Sequence, residues 1–108
     1  MRNTFAKVLL EEAKKNKKLI FLTGDLGFSV FEEFHKECPD QYINAGVAEQ
    51  NMTGVAAGLA MEGMLPVIYS IIPFVTMRNF EQIRNDICYQ NLNVKIVAVG
   101  AGFSYGSY

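Results

Sequence analysis

The chain has 108 residues, of which half are apolar and 19% are charged, and its formal net charge is −1. This length and composition predict one small domain with an apolar core and exclude a disordered segment. The near-neutral charge argues against a protein that binds nucleic acid through its phosphates, and no apolar run is long enough to span a bilayer. Its two cysteines fit no metal-binding spacing, so we expect reduced thiols and a cytoplasmic location.

Helices and strands are predicted to alternate along the chain. Four helices are predicted from their apolar periodicity and their end signals: 2–16, 31–36, 48–62 and 74–89. Four strands are predicted from short apolar or β-branched runs: 19–23, 41–44, 66–72 and 94–99. This alternation predicts an α/β fold, a three-layer, doubly wound and mostly parallel sheet. Since no further element follows to cover the last strand, we expect the domain at 1–108 to be incomplete at its C-terminus.

Three loop segments are expected at the edge of the sheet where ligands of open α/β folds bind, beyond the carboxyl ends of the strands. They are 24–29, 44–51 and 71–76. Within the second of them, Glu49 opens the long helix, and by residue type alone its simplest role is to complement the helix dipole. The same helix carries the small residues Gly54 and Gly58, which favour close packing against the sheet or against another chain.

The stretch GVAEQNMTGVAAGLAMEGMLPVIYS (46–70) combines an early helical glutamate, a small-residue helix, a Gly-x-x-Pro turn and a strand ending in serine. Two further blocks are FEQI (80–83) and TGDLGFS (23–29). Together they resemble the pyrimidine-binding domain of transketolase-like, thiamine-diphosphate-dependent enzymes. The resemblance covers essentially the whole chain, and its most specific positions are Gly46, Val47, Glu49, Met52, Gly58, Gly63, Pro66 and Ser70.

The resemblance implies a catalytic role for Glu49. In the family, the corresponding glutamate hydrogen-bonds N1′ of the cofactor's aminopyrimidine and so promotes loss of the thiazolium C2 proton by proximity and acid–base catalysis. The cofactor-binding residues implied in this way are Asp25, Glu49, Ile72, Phe74 and Val75. Ile72 stands where transketolases usually stack a phenylalanine on the pyrimidine, and Phe74 is the alternative stacking residue. For Asp25, the alternative role is that of a turn former between two glycines.

Two further residues resemble positions that contact the substrate's phosphate in transketolases. These are Arg2, whose guanidinium can grip a phosphate with two hydrogen bonds, and Ser29, which offers a hydroxyl. The alternatives are a solvated terminal arginine and a serine that caps the following helix.

Half of the expected cofactor site is absent from the sequence. The family binds the diphosphate and Mg²⁺ through a Gly-Asp-Gly…Asn pattern, which does not occur here, so we assign no metal ligand to this chain. The resemblance implies a partner chain or domain that carries this pattern. It also implies a dimer or a larger homo- or hetero-oligomer, since the family places the cofactor between two subunits.

The resemblance therefore implies the pyrimidine-binding half of an enzyme that transfers two-carbon ketol units between phosphorylated sugars. A 1-deoxyxylulose-5-phosphate synthase-like domain and a 2-oxoacid dehydrogenase β-subunit-like domain are alternatives within the enzyme class. A non-catalytic α/β interaction homologue is the alternative from another class, and its motivation is the isoleucine at position 72.

Overall fold

The computed structural model describes residues 1–106, and in it strands alternate with helices as the sequence predicts. The strands are β1 (Leu19–Thr23), β2 (Tyr42–Asn44), β3 (Leu65–Ile71) and β4 (Lys95–Val99). The helices are α1 (Arg2–Lys15), α2 (Glu32–Glu37), α3 (Glu49–Met61), α4 (Ile72–Thr76) and α5 (Phe80–Gln82). A 3₁₀ turn at Pro39–Gln41 precedes β2, and a π-helical turn at Ile83–Cys88 extends α5. No helix in this part of the chain is both long and apolar enough to cross a membrane.

The sheet has the strand order β2-β1-β3-β4, and every pairing in it is parallel. β1 is the first strand along the chain, and β2 pairs with one of its edges. The chain then crosses back, and β3 pairs with the other edge of β1. The direction of winding therefore reverses between β1 and β3, and a crevice opens between their carboxyl ends. The predicted doubly wound α/β class is confirmed.

Both faces of the central strands β1 and β3 are buried: alternate residues of a strand point to opposite sides, and nearly every residue of these two strands is buried. Helices α1 and α2 cover one face, where Phe21, Phe31 and Tyr69 form an aromatic cluster with ring centroids 4.6–6.0 Å apart. Helices α3 and α4 cover the other face. Its core consists of Ile20, Leu22, Met52, Ala56, Ile68 and Val75.

A buried glutamine joins three elements on the aromatic side. The Nε2 of Gln41 donates to the carbonyl oxygens of Ala13 at 3.1 Å, Asn16 at 3.0 Å and Leu19 at 2.8 Å. These carbonyls lie at the end of α1 and the start of β1. The side chain that precedes β2 thus holds the α1–β1 connection against the sheet.

The predicted helix at 74–89 is wrong in outline. Helix α4 begins earlier, at Ile72, because Pro73 is favourable in the first turn of a helix, and β3 accordingly ends at Ile71 rather than at Ile72. A turn at 77–79 then interrupts the helix before α5 begins. Two contacts from α3 hold that turn, one to its backbone and one to a buried side chain, and both are described with the site below.

The outward face of α3 is open. Gly54 and Gly58 are exposed, and a Cβ added at either position would meet no atom within 4 Å. Of the small residues on this helix, Ala57 is buried within the domain. The two glycines therefore do not serve packing on the sheet, and they lie beside the exposed side chains of Val55 and Met61.

Candidate active site

Glu49 is the first residue of α3 and lies at the crevice between β1 and β3. The chain reaches it from β2 through Gly46, whose φ of +74° is a conformation that glycine adopts without strain. The Oδ1 of Asn44 accepts a hydrogen bond from the Gly46 amide at 3.0 Å and closes this turn. Glu49 is only 1% exposed, so a carboxylate is buried at the edge of the sheet where ligands bind.

Two side chains bind the two oxygens of this carboxylate. The hydroxyl of Ser70, near the end of β3, donates to Glu49 Oε1 at 2.8 Å, and Nη1 of Arg78 donates to Oε2 at 2.8 Å. Ser70 is fully buried, whereas the side chain of Arg78 is 42% exposed. One donor on each oxygen fixes the plane of the carboxylate, and each oxygen retains a second acceptor position.

Gly24 keeps the approach to the carboxylate clear. It follows β1 directly and is buried, and its amide donates to the Tyr69 carbonyl at 3.2 Å. A Cβ at this position would lie 3.1 Å from Glu49 Oε1 and 3.2 Å from Ser70 Oγ. Any larger residue would press on both groups. A glycine at the end of β1 therefore leaves room for a ligand atom beside the acid.

Arg78 is held by three contacts of its own and by one of its neighbour Asn79. Its guanidinium carbon lies 4.1 Å from the centroid of the Phe74 ring, and its Nη1 reaches Glu49. Its carbonyl oxygen accepts from Gln50 Nε2 at 3.1 Å. The next residue, Asn79, is fully buried and donates to the hydroxyl of Thr53 at 2.7 Å. The 77–79 turn is thereby anchored on α3, which is why the predicted helix breaks there.

The three predicted ring-contacting residues occupy different environments. Ile72 is half-buried at the start of α4, and Phe74 is half-buried with one ring face covered by Arg78. Val75 is fully buried in the core against α3. Of these three, Ile72 and Phe74 thus have surface that a ligand can contact.

Asp25 lies at the rim of the site. It is exposed, has a φ of 57°, and accepts a hydrogen bond from Asn44 Nδ2 at 2.8 Å. This bond bridges the ends of β1 and β2 and agrees with the turn-forming role. Asp25 also lines a hollow of about 240 Å³ with Tyr42, on which the ring of His35 stacks at 4.8 Å.

Arg2 and Ser29 are not brought together. Arg2, the first residue of α1, lines a cavity of about 590 Å³ next to Tyr69, whereas Ser29 lines a separate hollow of about 210 Å³. Burial raises the pKa of the Tyr69 hydroxyl above its ordinary 10.0; the positive charge of Arg2 opposes this shift and Tyr105 adds to it.

Ser29 does not cap α2 with its hydroxyl, since the N-cap position belongs to Phe31. Instead, the Ser29 amide donates to the carboxylate of Glu32. The backbone amides of Glu32 itself and of Ser29 lower the pKa of the Glu32 carboxyl from its ordinary 4.5. This turn is therefore held by a side chain of α2 that bonds back to the backbone before the helix.

Sequence reasoning missed Arg78. One signal was available, because Arg78 is the only charged residue between Glu62 and Glu81. A lone charge in an apolar stretch that follows a buried strand needs a partner, and the partner is the acid singled out by its motif. Within residues 1–106, no cluster of three or more histidine, cysteine, aspartate or glutamate side chains is arranged to hold a metal ion.

The sequence matches the family described as "Transketolase, pyrimidine binding domain" over residues 1–108. The chain belongs to this family. Glu49 is a buried acid of this domain.

Relatives and a solved structure agree with this membership. A protein of Methanocaldococcus jannaschii named as a transketolase C-terminal section is 46% identical over 107 residues, which are 98% of this chain and 34% of that protein. An apulose-4-phosphate transketolase subunit of Phocaeicola vulgatus is 37% identical over 107 residues, with the same coverage of 98% and 34%. A solved structure titled "Split gene transketolase, inactive beta4 tetramer" is 42% identical with a TM-score of 0.85 and covers 98% of this chain and 36% of its own. The chain therefore spans about a third of the length of the relatives it matches.

Proposed function

We propose that this chain is the pyrimidine-binding half of a transketolase-type enzyme that transfers two-carbon ketol units between phosphorylated sugars. The observation that carries the proposal is the Glu49 carboxylate, which is buried at the β1–β3 crevice with Gly24 beside it. A buried carboxyl group beside a glycine can share a hydrogen bond with a nitrogen atom of a flat ring, because the glycine leaves room for the ring. Thiamine diphosphate carries such a ring in its aminopyrimidine.

Glu49 is the catalytic residue of this proposal. Thiamine diphosphate, when bound, supplies the carbon nucleophile that cleaves the bond beside a ketose carbonyl. Glu49 would bind N1′ of the aminopyrimidine and hold a proton there, and its two oxygens accept hydrogen bonds from Ser70 and Arg78. Because the acid is almost wholly covered, water does not compete for that hydrogen bond.

The remaining proposed cofactor contacts come from the neighbouring loops. The half-buried Ile72 would give the pyrimidine an apolar surface in place of the usual phenylalanine, and the free face of Phe74 would lie beside it. Val75 would support both from the core. The exposed Asp25 would contact the cofactor or the partner subunit from the rim.

A partner would complete the enzyme. We propose that a chain or domain with a Gly-Asp-Gly…Asn pattern binds Mg²⁺ and the diphosphate, and that two subunits enclose the cofactor. The relatives named as a C-terminal section and as one subunit of a transketolase support this division. The free thiols of Cys38 and Cys88 suit the reducing cytoplasm, where we place the complex.

Arg2 and Ser29 are the proposed contacts to sugar phosphate. Arg2 is supported by its charge, by its exposure and by its place at the N-terminus of α1, where anions are favoured. Ser29 is exposed on the loop that follows β1. In this chain by itself, the two residues line separate hollows.

The test uses the complete protein purified from its host together with the chain that co-elutes. Ketol transfer from a phosphorylated ketose to a phosphorylated aldose is measured with thiamine diphosphate and Mg²⁺. We expect Glu49→Gln to lower kcat by about 100-fold or more, the scale of general acid–base catalysis. Glu62→Gln, at the exposed C-terminal end of the same helix, is the matched control and should keep full activity. Wild-type activity in Glu49→Gln would overturn the proposal, and a complex that binds no cofactor would favour a non-catalytic homologue.

A further inference from the structure

The contacts around Arg78 exceed what a surface arginine needs. An exposed ion pair contributes little to stability, and both its side chains usually move freely. Here one partner, Glu49, is buried, the carbonyl of Arg78 accepts from Gln50 of α3, and the neighbouring Asn79 side chain donates to Thr53 of the same helix. The guanidinium also lies on the ring of Phe74. The structure thus fixes the position of this cation through contacts that are independent of the ion pair.

We propose that Arg78 is a positioning residue for Glu49, which it keeps in one orientation together with Ser70. This inference rests on the proposed function, in which Glu49 binds N1′ of the cofactor. Ser70 binds Oε1 and Arg78 binds Oε2, so rotation of the carboxylate would break at least one of these bonds. Glu49 is therefore preorganised before the cofactor arrives and does not need to reorient when it binds.

The charge of Arg78 has a second effect. A carboxylate that is 1% exposed loses most of its solvation by water, and a cation 2.8 Å away compensates for that loss. Without Arg78, the carboxylate would be free to rotate toward solvent. Such a rotation would reduce its ability to act at N1′.

The experiment follows the exchange of the cofactor's C2 proton for deuterium, detected by proton NMR after acid quench, in the complete complex with thiamine diphosphate and Mg²⁺. One variant is Arg78→Met, which keeps a long side chain and removes the charge. The other is Arg78→Lys, which keeps the positive charge but lacks the planar guanidinium group. Arg84→Met is the matched control. Arg84 is an exposed arginine on the following π-helical turn and forms no ion pair within residues 1–106.

We expect Arg78→Met to slow C2 exchange by about tenfold to a hundredfold, since small losses of orientation have effects of that size. Arg78→Lys should recover part of the rate, and Arg84→Met should match the wild type. Calorimetry should show a thiamine diphosphate dissociation constant within about threefold of the wild type, because the diphosphate contacts lie on the partner. A structural role alone would weaken binding as much as exchange.

A double-mutant cycle separates this inference from the proposed function. If Arg78 acts through Glu49, adding Arg78→Met to Glu49→Gln causes no further loss of exchange. An equal further loss, or wild-type exchange in Arg78→Met, would overturn the inference. Wild-type exchange in Glu49→Gln would instead overturn the proposed function. Urea unfolding of the apo complex provides a readout without cofactor. Arg78→Met should lower the free energy of unfolding of the wild type. The same substitution should have a much smaller effect in the Glu49→Gln variant.

Discussion

Arg78 and Glu49 are 29 positions apart in the chain, and their side chains meet at 2.8 Å. The acid begins the helix that connects β2 with β3, and the arginine lies in the turn after α4, the short helix that follows β3. Only the parallel order of the strands brings these two points together. The ion pair therefore depends on the whole sheet rather than on any single segment.

Gly24→Ala should impair the site without disturbing the local backbone, because Gly24 does not need a positive φ. The added methyl would lie 3.1 Å from Glu49 Oε1 and 3.2 Å from Ser70 Oγ, so one of them must shift. We expect weaker thiamine diphosphate binding and slower C2 exchange in the complete complex. Glu62→Gln, at the exposed C-terminal end of α3, is the control and should match the wild type. Equal behaviour of the two variants would argue against a close approach at Gly24.

Gln41→Met should destabilise the fold and leave the active site intact. The change keeps the side-chain length but removes the donor that serves three carbonyl oxygens. The Asn16 carbonyl keeps its bond from the Leu19 amide, but depriving the buried carbonyls of Ala13 and Leu19 of this donor costs about 1–3 kcal/mol. Urea unfolding followed by circular dichroism measures the effect. Gln90→Met, at an exposed position, should be within about 0.5 kcal/mol of the wild type, and a similar value for Gln41→Met would disprove the role of this contact.

Tyr69→Phe should change the dependence of stability on alkaline pH. Burial raises the pKa of Tyr69 in the folded state, so the contribution of its protonated hydroxyl is fully present below pH 10.0. Above that pH the unfolded chain releases the proton first, and the free energy of unfolding of the wild type falls.

The phenylalanine variant lacks this loss, so its stability should fall less steeply above pH 10.0. Unfolding in urea at a series of alkaline pH values measures the two slopes. Tyr89→Phe, whose ring is exposed, should follow the wild type. Parallel curves for the wild type and Tyr69→Phe would contradict the prediction.

The fold was largely predictable because short apolar runs in the sequence predict its strands. The run at 19–23 is apolar at nearly every position, as a strand buried on both faces requires, and β1 is buried throughout. The motif pointed to Glu49, and the structure shows that this residue is buried at the β1–β3 crevice. The three-carbonyl contact of Gln41, the break at 77–79 and the position of Arg78 were not predictable. Each depends on a side chain that meets an element far away in the sequence.

The pairing of β1 with β3 has a consequence for how the chain folds. Leu19 lies opposite Leu65, so one long edge of β1 finds its partner only after 46 more residues have been added. During synthesis, this strand, which is fully buried in the folded domain, remains with that edge uncovered while β2 and α3 are made. Contacts between such distant segments form slowly, and an uncovered strand edge can pair with another nascent chain. The pairing of β1 with β3, which positions the acid, is therefore expected to form late in folding.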